Sequence, residues 1–198
     1  MKSFRSSMIA AAVVAASFLA AASAQAKNAP KHPLPPKSHP AADYCVQTGG
    51  QVEARQPYYG TNGNDPLRLA GRRNFCQYTA DDGSRIHVLQ ETLYADKPSL
   101  AALAYYAQVP LGGNCTGNPA SCYCTQLGGS DLFGGVNAAG GGWVLKGAED
   151  EVLEACIFPD MSSIDSWGLA YHSAGIIRGI DLGTVLRYKN PNQGGGAR

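Results

Sequence analysis

Charge is scarce in this sequence. Asp, Glu, Lys and Arg supply 16% of its 198 residues, against roughly 25% in an ordinary soluble domain. The two signs nearly cancel, with Lys+Arg 16, Asp+Glu 15 and a formal net charge of +1, which excludes a basic surface able to drive nucleic-acid binding. Long apolar runs are missing too. The longest, Met8 to Ala22, falls short of the ~20 residues that a membrane-spanning helix needs. Catalytic signatures are absent as well: there is no Gly-x-Ser-x-Gly elbow, no His-Glu-x-x-His pair and no Lys-Ser/Thr ending to a glycine-rich phosphate loop. What the chain has is 24 Gly, 12 Pro and 6 Cys. Gly is well above its usual share of about 7%, which points to a loop-rich fold rather than a helical bundle.

The N-terminus reads as an export address. Lys2 and Arg5 precede the apolar run, and Ala22-Ser23-Ala24 or Ala24-Gln25-Ala26 follows as the small-residue cleavage site of a secretory signal peptide, spanning 1–24 or 1–26. Loss of Lys2 and Arg5 would leave the mature chain one unit negative instead of positive. The first cysteine is Cys45, too distant to serve as a lipidated N-terminus. A periplasmic or extracellular product follows, with no transmembrane segment in the mature chain. Residues 25–39 hold Pro30, Pro33, Pro35 and Pro36 interleaved with Lys27, Lys31 and Lys37, the composition of an extended linker. His32 and His39 are read as linker residues, and 189–198 as a frayed Gly/Asn tail.

Between these ends lies an internal repeat. Pro40-Ala41-Ala42-Asp43-Tyr44-Cys45-Val46-Gln47-Thr48-Gly49-Gly50 recurs as Pro119-Ala120-Ser121-Cys122-Tyr123-Cys124-Thr125-Gln126-Leu127-Gly128-Gly129, identical at seven of eleven positions. Each copy predicts a short helix, opened by Pro, capped in the second copy by Asn118, and ended by Gly-Gly. Strands are expected at Asn74–Ala80 and Ser84–Leu93 around the Asp81-Asp82-Gly83 turn. A helix from about Pro98 is expected to set Leu100, Leu103, Ala104 and Ala107 on one face with Tyr105 and Tyr106 beside it, and Tyr105, like Trp167, is expected in a core. A second helix, from Ser162 or Ser163, would carry Ile164, Trp167, Leu169 and Tyr171, and a strand from Ile176 to Tyr188 would close the domain. The expected fold is α+β, in two tandem disulfide-stapled modules at 40–110 and 111–188.

Six cysteines in an exported chain allow fifteen pairings. The repeat narrows them to Cys45–Cys76 and Cys124–Cys156, whose separations nearly match, and leaves Cys115 and Cys122 to staple the segment entering the second helix.

Asn118-Pro119-Ala120-Ser121, Tyr123-Cys124, Gly128-Gly129, Cys156-x-x-Pro159-Asp160 and Ile164-Asp165-x-Trp167 together resemble DUF333, a family of small bacterial envelope proteins often labelled haemolysins. The likeness covers residues 118 to 171, and the first module resembles a diverged copy. It implies an exported location and a fold unit, without an assigned chemistry. The chain departs from the family pattern in a Gly-rich insert from Ser130 to about Glu154, in Met161 where Gly is usual, and in Leu103 where the first module lacks the Trp. No amphipathic or barrel-forming stretch suited to breaching a bilayer accompanies the haemolysin label.

Within the modules, His87 and His172 are the candidate general bases, neither with a visible nucleophile. Tyr58 and Tyr59 beside the Gly60–Asp65 turn, and Phe133 and Trp143 flanking the Gly134–Gly142 run, are the candidate binding aromatics. No catalytic residue, cofactor or metal ligand is assigned. The expected function is an exported binding or envelope accessory protein whose partner is an unidentified protein or envelope component. The alternatives are an envelope hydrolase with a His general base, and a secreted toxin or inhibitor.

Overall fold

A computed structural model describes residues 39–59, 67–131 and 142–191. The expected signal peptide, nearly all of the expected linker, the Gly60–Asp65 turn, Phe133 and the run from Gly134 to Gly141, and the last seven residues lie outside them. In chain order the elements are α1 (Pro40–Gln47), β1 (Gln51–Tyr59), β2 (Leu67–Arg68), β3 (Arg73–Thr79), β4 (Arg85–Leu89), α2 (Gln90–Tyr94), α3 (Leu100–Ala107) and α4 (Pro119–Gln126). They continue with β5 (Gly142–Leu145), β6 (Ala148–Leu153), β7 (Ala155–Ile157), β8 (Ser163–Asp165), α5 (Ser166–Ser173) and α6 (Leu182–Val185).

The repeat accounts for α1 and α4. Each begins with Pro, whose missing N–H is one the first turn would leave unpaired. Asn118 accepts the Ala120 N–H at 2.9 Å, whereas His39 gives α1 no side-chain cap. The paired glycines then do different things. Gly49 and Gly128 take φ of +87° and +83°, which turns the chain out of each helix. Gly50 and Gly129 pass so close to the Cys45–Cys76 and Cys124–Cys156 bridges that a Cβ at either would strike sulfur. All six cysteines are paired as the repeat implied, Cys45–Cys76, Cys124–Cys156 and Cys115–Cys122, with Cα separations of 5.7, 5.5 and 5.8 Å.

The strands form one antiparallel sheet in the order β6-β5-β1-β3-β4-β8-β7, with β2 beside the end of β1. Only Glu154 separates β6 from β7, the outermost strands of that path, so the chain steps from one edge of the sheet to the other within a single residue. The sheet is therefore coiled into a near-barrel. This corrects the expected layout: β1 of the first half pairs with β5 of the second, and β4 pairs with β8 through Val88 and Ile164. The repeat persists inside the sheet. The β3–β4 hairpin sets Cys76 opposite Val88, the β7–β8 hairpin sets Cys156 opposite Ile164, and the two hairpins join back to back. A bridge between Ser130 and Ile157 stands where Gln51 meets Gln77 in the first half.

The helices cover the outer face, over a core that includes Tyr78, Ile86, Val88, Leu93, Tyr105 and Leu169. The inner face holds a smaller apolar cluster of Phe75, Leu89, Trp143, Leu153 and Ala155. Four expected elements differ. The helix expected from Ser162 or Ser163 begins only at Ser166, because Ile164 pairs with Val88 in β8 and Asp165 caps α5. β4 stops at Leu89 because Gln90–Tyr94 turns into α2, which packs Leu93 into the outer core. α3 buries Ala101, Ala102, Tyr105 and Tyr106 and leaves Leu100 and Leu103 exposed, because the tyrosine hydroxyls find Asp181 and the Tyr188 carbonyl. The segment from Ile176 to Tyr188 forms no strand. It turns at Gly179, pressed against the Tyr78 carbonyl, and Asp181 caps α6. Among the described residues no helix is long and apolar enough to cross a membrane.

Candidate functional site

Strand alternation places Glu53, Arg55, Gln77 and His87 on the inner face, and all four are buried. Gln77 stands directly opposite His87. On the other side of β4 the Val88–Ile164 pair brings Asp165 beside the imidazole. Asp165 is used twice: Oδ1 accepts the Gly168 N–H and caps α5, while Oδ2 lies 3.3 Å from His87 Nδ1. His87 Nε2 is 3.3 Å from Glu53 Oε2 and 3.1 Å from Gln77 Oε1. Arg55 donates to Glu53 through Nε at 2.8 Å, and its Nη1 donates to the Trp143 and Glu151 carbonyls.

Burial pulls the His87 imidazole toward its neutral form, but Asp165 and Glu53 together outweigh burial and the adjacent Arg55, and its pKa is raised. Glu53 is also desolvated, yet the His87 hydrogen bond and Arg55 hold its carboxyl below the usual value. The interior thus sets the Arg55 guanidinium and the His87 ring against the Glu53 and Asp165 carboxyls. Both ring nitrogens face a carboxyl oxygen at 3.3 Å, so neither stands open to a water or hydroxyl.

A cavity of about 250 Å³ opens from this cluster. Arg55, His87 and Asp165 are buried at its base, whereas Arg85, Glu151, Trp167 and Arg178 retain exposure around it. Arg85 and Glu151 pair at 3.2 Å across the mouth. Burial raises the Glu154 carboxyl, helped by Asp131 and opposed by the Asn118 amide, which donates to it at 2.8 Å. Trp167 also borders a second depression, an apolar groove of about 400 Å³ against Leu111, Tyr171 and Ile176. The Trp167 and Tyr171 rings lie 5.8 Å apart, and the Arg178 guanidinium sits 5.0 Å over Tyr171. Tyr171 thus lines the groove, Arg178 the cavity, and Trp167 both.

The residues singled out in the sequence fare unequally. Trp143 is 4% exposed and packs edge-on against Phe75 at 5.5 Å, a core ring rather than a surface platform. Tyr58 and Tyr59 end β1 rather than sit in a loop, Tyr59 exposed and Tyr58 half-buried, away from the Trp167 groove. Phe133 lies outside the described residues. His172 is buried and stacked on Tyr105 at 3.7 Å, accepts from the Gln108 amide, and is lowered by burial despite Asp181. Sequence reading overlooked Glu53, Arg55 and the His87–Asp165 contact. Charged residues at alternate positions before Tyr58 were a usable sign for the first two, but no strand was expected there. Among the described residues no three His, Cys, Asp or Glu side chains cluster to hold a metal ion.

Comparison with family models, with curated proteins and with solved structures returns no match. The functional reading therefore rests on the site alone.

Proposed function

We propose that this protein is an exported, disulfide-stapled binding module that recognises its partner without covalent chemistry, through the Trp167–Tyr171 groove and the charged cavity beside it. The observation that carries this reading is Trp167. It is half-exposed between an apolar groove and a polar cavity, an arrangement suited to a ligand with an apolar body and a charged end. Arg178, which forms no ion pair within 4 Å among the described residues and reaches Asp82 only as a more distant charge, favours a negative end. The His-based hydrolase finds less support, since His87 is held at both nitrogens and His172 has no hydrogen-bonded carboxylate among the described residues. The repeated helix, Gly-Gly and hairpin unit supports a duplicated DUF333-like origin. The three disulfides support an oxidising location, periplasmic or extracellular.

The test exploits the chain's content of 2 Trp residues. In Trp143→Phe, emission reports Trp167 alone, and titration with an envelope extract and its fractions should shift it. Capture on immobilised oxidised protein should fail for Trp167→Ala and persist for His172→Gln, whose ring lines neither the groove nor the cavity. The reverse pattern, with both variants folded by circular dichroism, would overturn the binding reading in favour of His-dependent chemistry.

A further inference from the structure

The three disulfides occupy different surroundings. Cys45, Cys76, Cys124 and Cys156 are 0% exposed, with Gly50 and Gly129 set against their sulfurs. Cys115 and Cys122 are only partly buried and line an open cleft of about 520 Å³ whose other walls include Gly112, Gly113, Asn114 and Ser121. None of the residues lining that cleft is charged. The carboxylate behind it, Asp131, is buried and accepts from the Ser121 hydroxyl at 3.0 Å. An incoming thiolate thus meets small, neutral groups and an accessible sulfur. The two sulfurs also differ from each other. Cys122 is the fourth residue of the eight-residue helix α4, in its first turn, where the helix dipole stabilises a thiolate. Cys115 precedes the helix, its Sγ 3.8 Å from the Asn118 carbonyl.

We infer that Cys115–Cys122 is a thiol–disulfide exchange site, taking a low-molecular-weight or protein thiol, while the other two bridges are permanent staples. The external thiolate attacks Cys115 Sγ and forms a mixed disulfide there. The Cys115–Cys122 bond breaks, and its electron pair leaves on Cys122, which remains a thiolate or takes a proton from solvent. A second thiol attacking the adduct releases Cys115 as a thiol and carries away the oxidised reductant. The surrounding structure is held independently. Gln126 donates to the Pro110 carbonyl and accepts from the Gly112 N–H, each at 2.9 Å, and the Tyr123 hydroxyl donates to the Val109 carbonyl at 2.7 Å. Exchange therefore leaves the fold and the groove wall in place, and it does not depend on what the groove binds.

The experiment incubates the folded protein with reduced glutathione, quenches by alkylation at intervals and maps each cysteine by mass spectrometry, with circular dichroism in parallel. Cys115 and Cys122 should react at least about tenfold faster than the other four, with glutathione on Cys115 and an unchanged spectrum. Simultaneous loss of all three bridges, earlier loss of a buried one, or survival of Cys115–Cys122 until the spectrum collapses would each overturn the exchange site. Glutathione on Cys122 instead would overturn the direction of attack. A second variant, Cys115→Ser, isolates Cys122. Its alkylation should titrate below the ~8.5 of an ordinary thiol, and a midpoint at or above that value would overturn its role as leaving group.

Discussion

The two faces of the sheet are built on opposite plans. The outer face is apolar, crossed by two buried disulfides, and its tyrosines hand their hydroxyls to fixed acceptors: Tyr105 to Asp181, Tyr106 to the Tyr188 carbonyl. The inner face, on the same strands, buries Glu53, Arg55, His87 and Asp165 beside a small patch of aromatic and aliphatic side chains. Apolar residues of equal volume would hold an inner face at least as firmly, because desolvating ions offsets most of their attraction. Stability alone does not call for charge there. Its position beneath a solvent-facing cavity supports the proposal that it serves recognition.

The largest effect should come from breaking the inner set unevenly. Arg55→Met strands the buried Glu53 carboxylate beside a crowded imidazole and should cost about 3–5 kcal/mol in denaturant unfolding. Replacing Glu53 and Arg55 together by Met removes one ion pair whole, leaves the His87–Asp165 contact in place and should recover most of that loss. If the double variant is as unstable as Arg55→Met, the inner charges hold the fold in their own right and the contrast between the faces fails.

The outer face is challenged by its disulfides. Their sequence separations of 31 and 32 imply about 3–4 kcal/mol each on the loop-entropy account. Cys45→Ala with Cys76→Ala should therefore cost the same, within error, as Cys124→Ala with Cys156→Ala. Cys115–Cys122 closes a separation of only 7 and should cost about 2.5 kcal/mol when removed. Unequal costs for the two buried bridges would show that the repeated halves do not share the load as their geometry suggests.

The staples were legible in the sequence because Cys, Pro and Gly act locally. Pro40 and Pro119 fix where helices start, Gly49 and Gly128 where they end, and the spacing to Cys76 and Cys156 does the rest. The shared sheet was not legible. Whether Val88 pairs with Ile164 across the two halves is a question of long-range register, and two self-contained modules satisfy the same local pattern. The inner site was half-visible for a related reason. His87 drew notice by residue type, but Asp165 reaches it only through that same cross-half pairing, and Trp143 passed for a surface ring because glycine precedes it. The α3 face was misjudged because Leu outranks Tyr in apolarity, whereas buried tyrosines are favoured wherever their hydroxyls have acceptors.

The titrations sharpen the contrast without altering its geometry. His87 has a folded pKa above its ordinary 6.5, so its contribution is complete below that value and is lost as pH rises through the folded value. Glu53, held below 4.5, contributes above that value and is lost as pH falls through its folded value. The inner cluster should be firmest between these limits. Thermal melts from about pH 5 to about pH 9 should show a decline on the alkaline side that His87→Gln flattens. An identical decline in the variant would place the alkaline loss elsewhere.

Trp167 belongs to neither core, and truncating it should separate recognition from stability. Its ring borders the cavity and the groove, packs on exposed Tyr171, and is a hydrogen-bond partner of the buried Glu154 carboxyl. Trp167→Ala removes a half-buried surface from the end of a helix whose cap, Asp165, and whose buried anchor, Leu169, are untouched. Its unfolding free energy should fall by about 1–2 kcal/mol, since Glu154 loses one donor and keeps the Asn118 amide, while retention of the partner is abolished. A loss comparable to that of Arg55→Met would make Trp167 a structural lid over the charged interior. The inner charges would then be sealed in rather than presented, and the functional reading of the inner face would fall with that result.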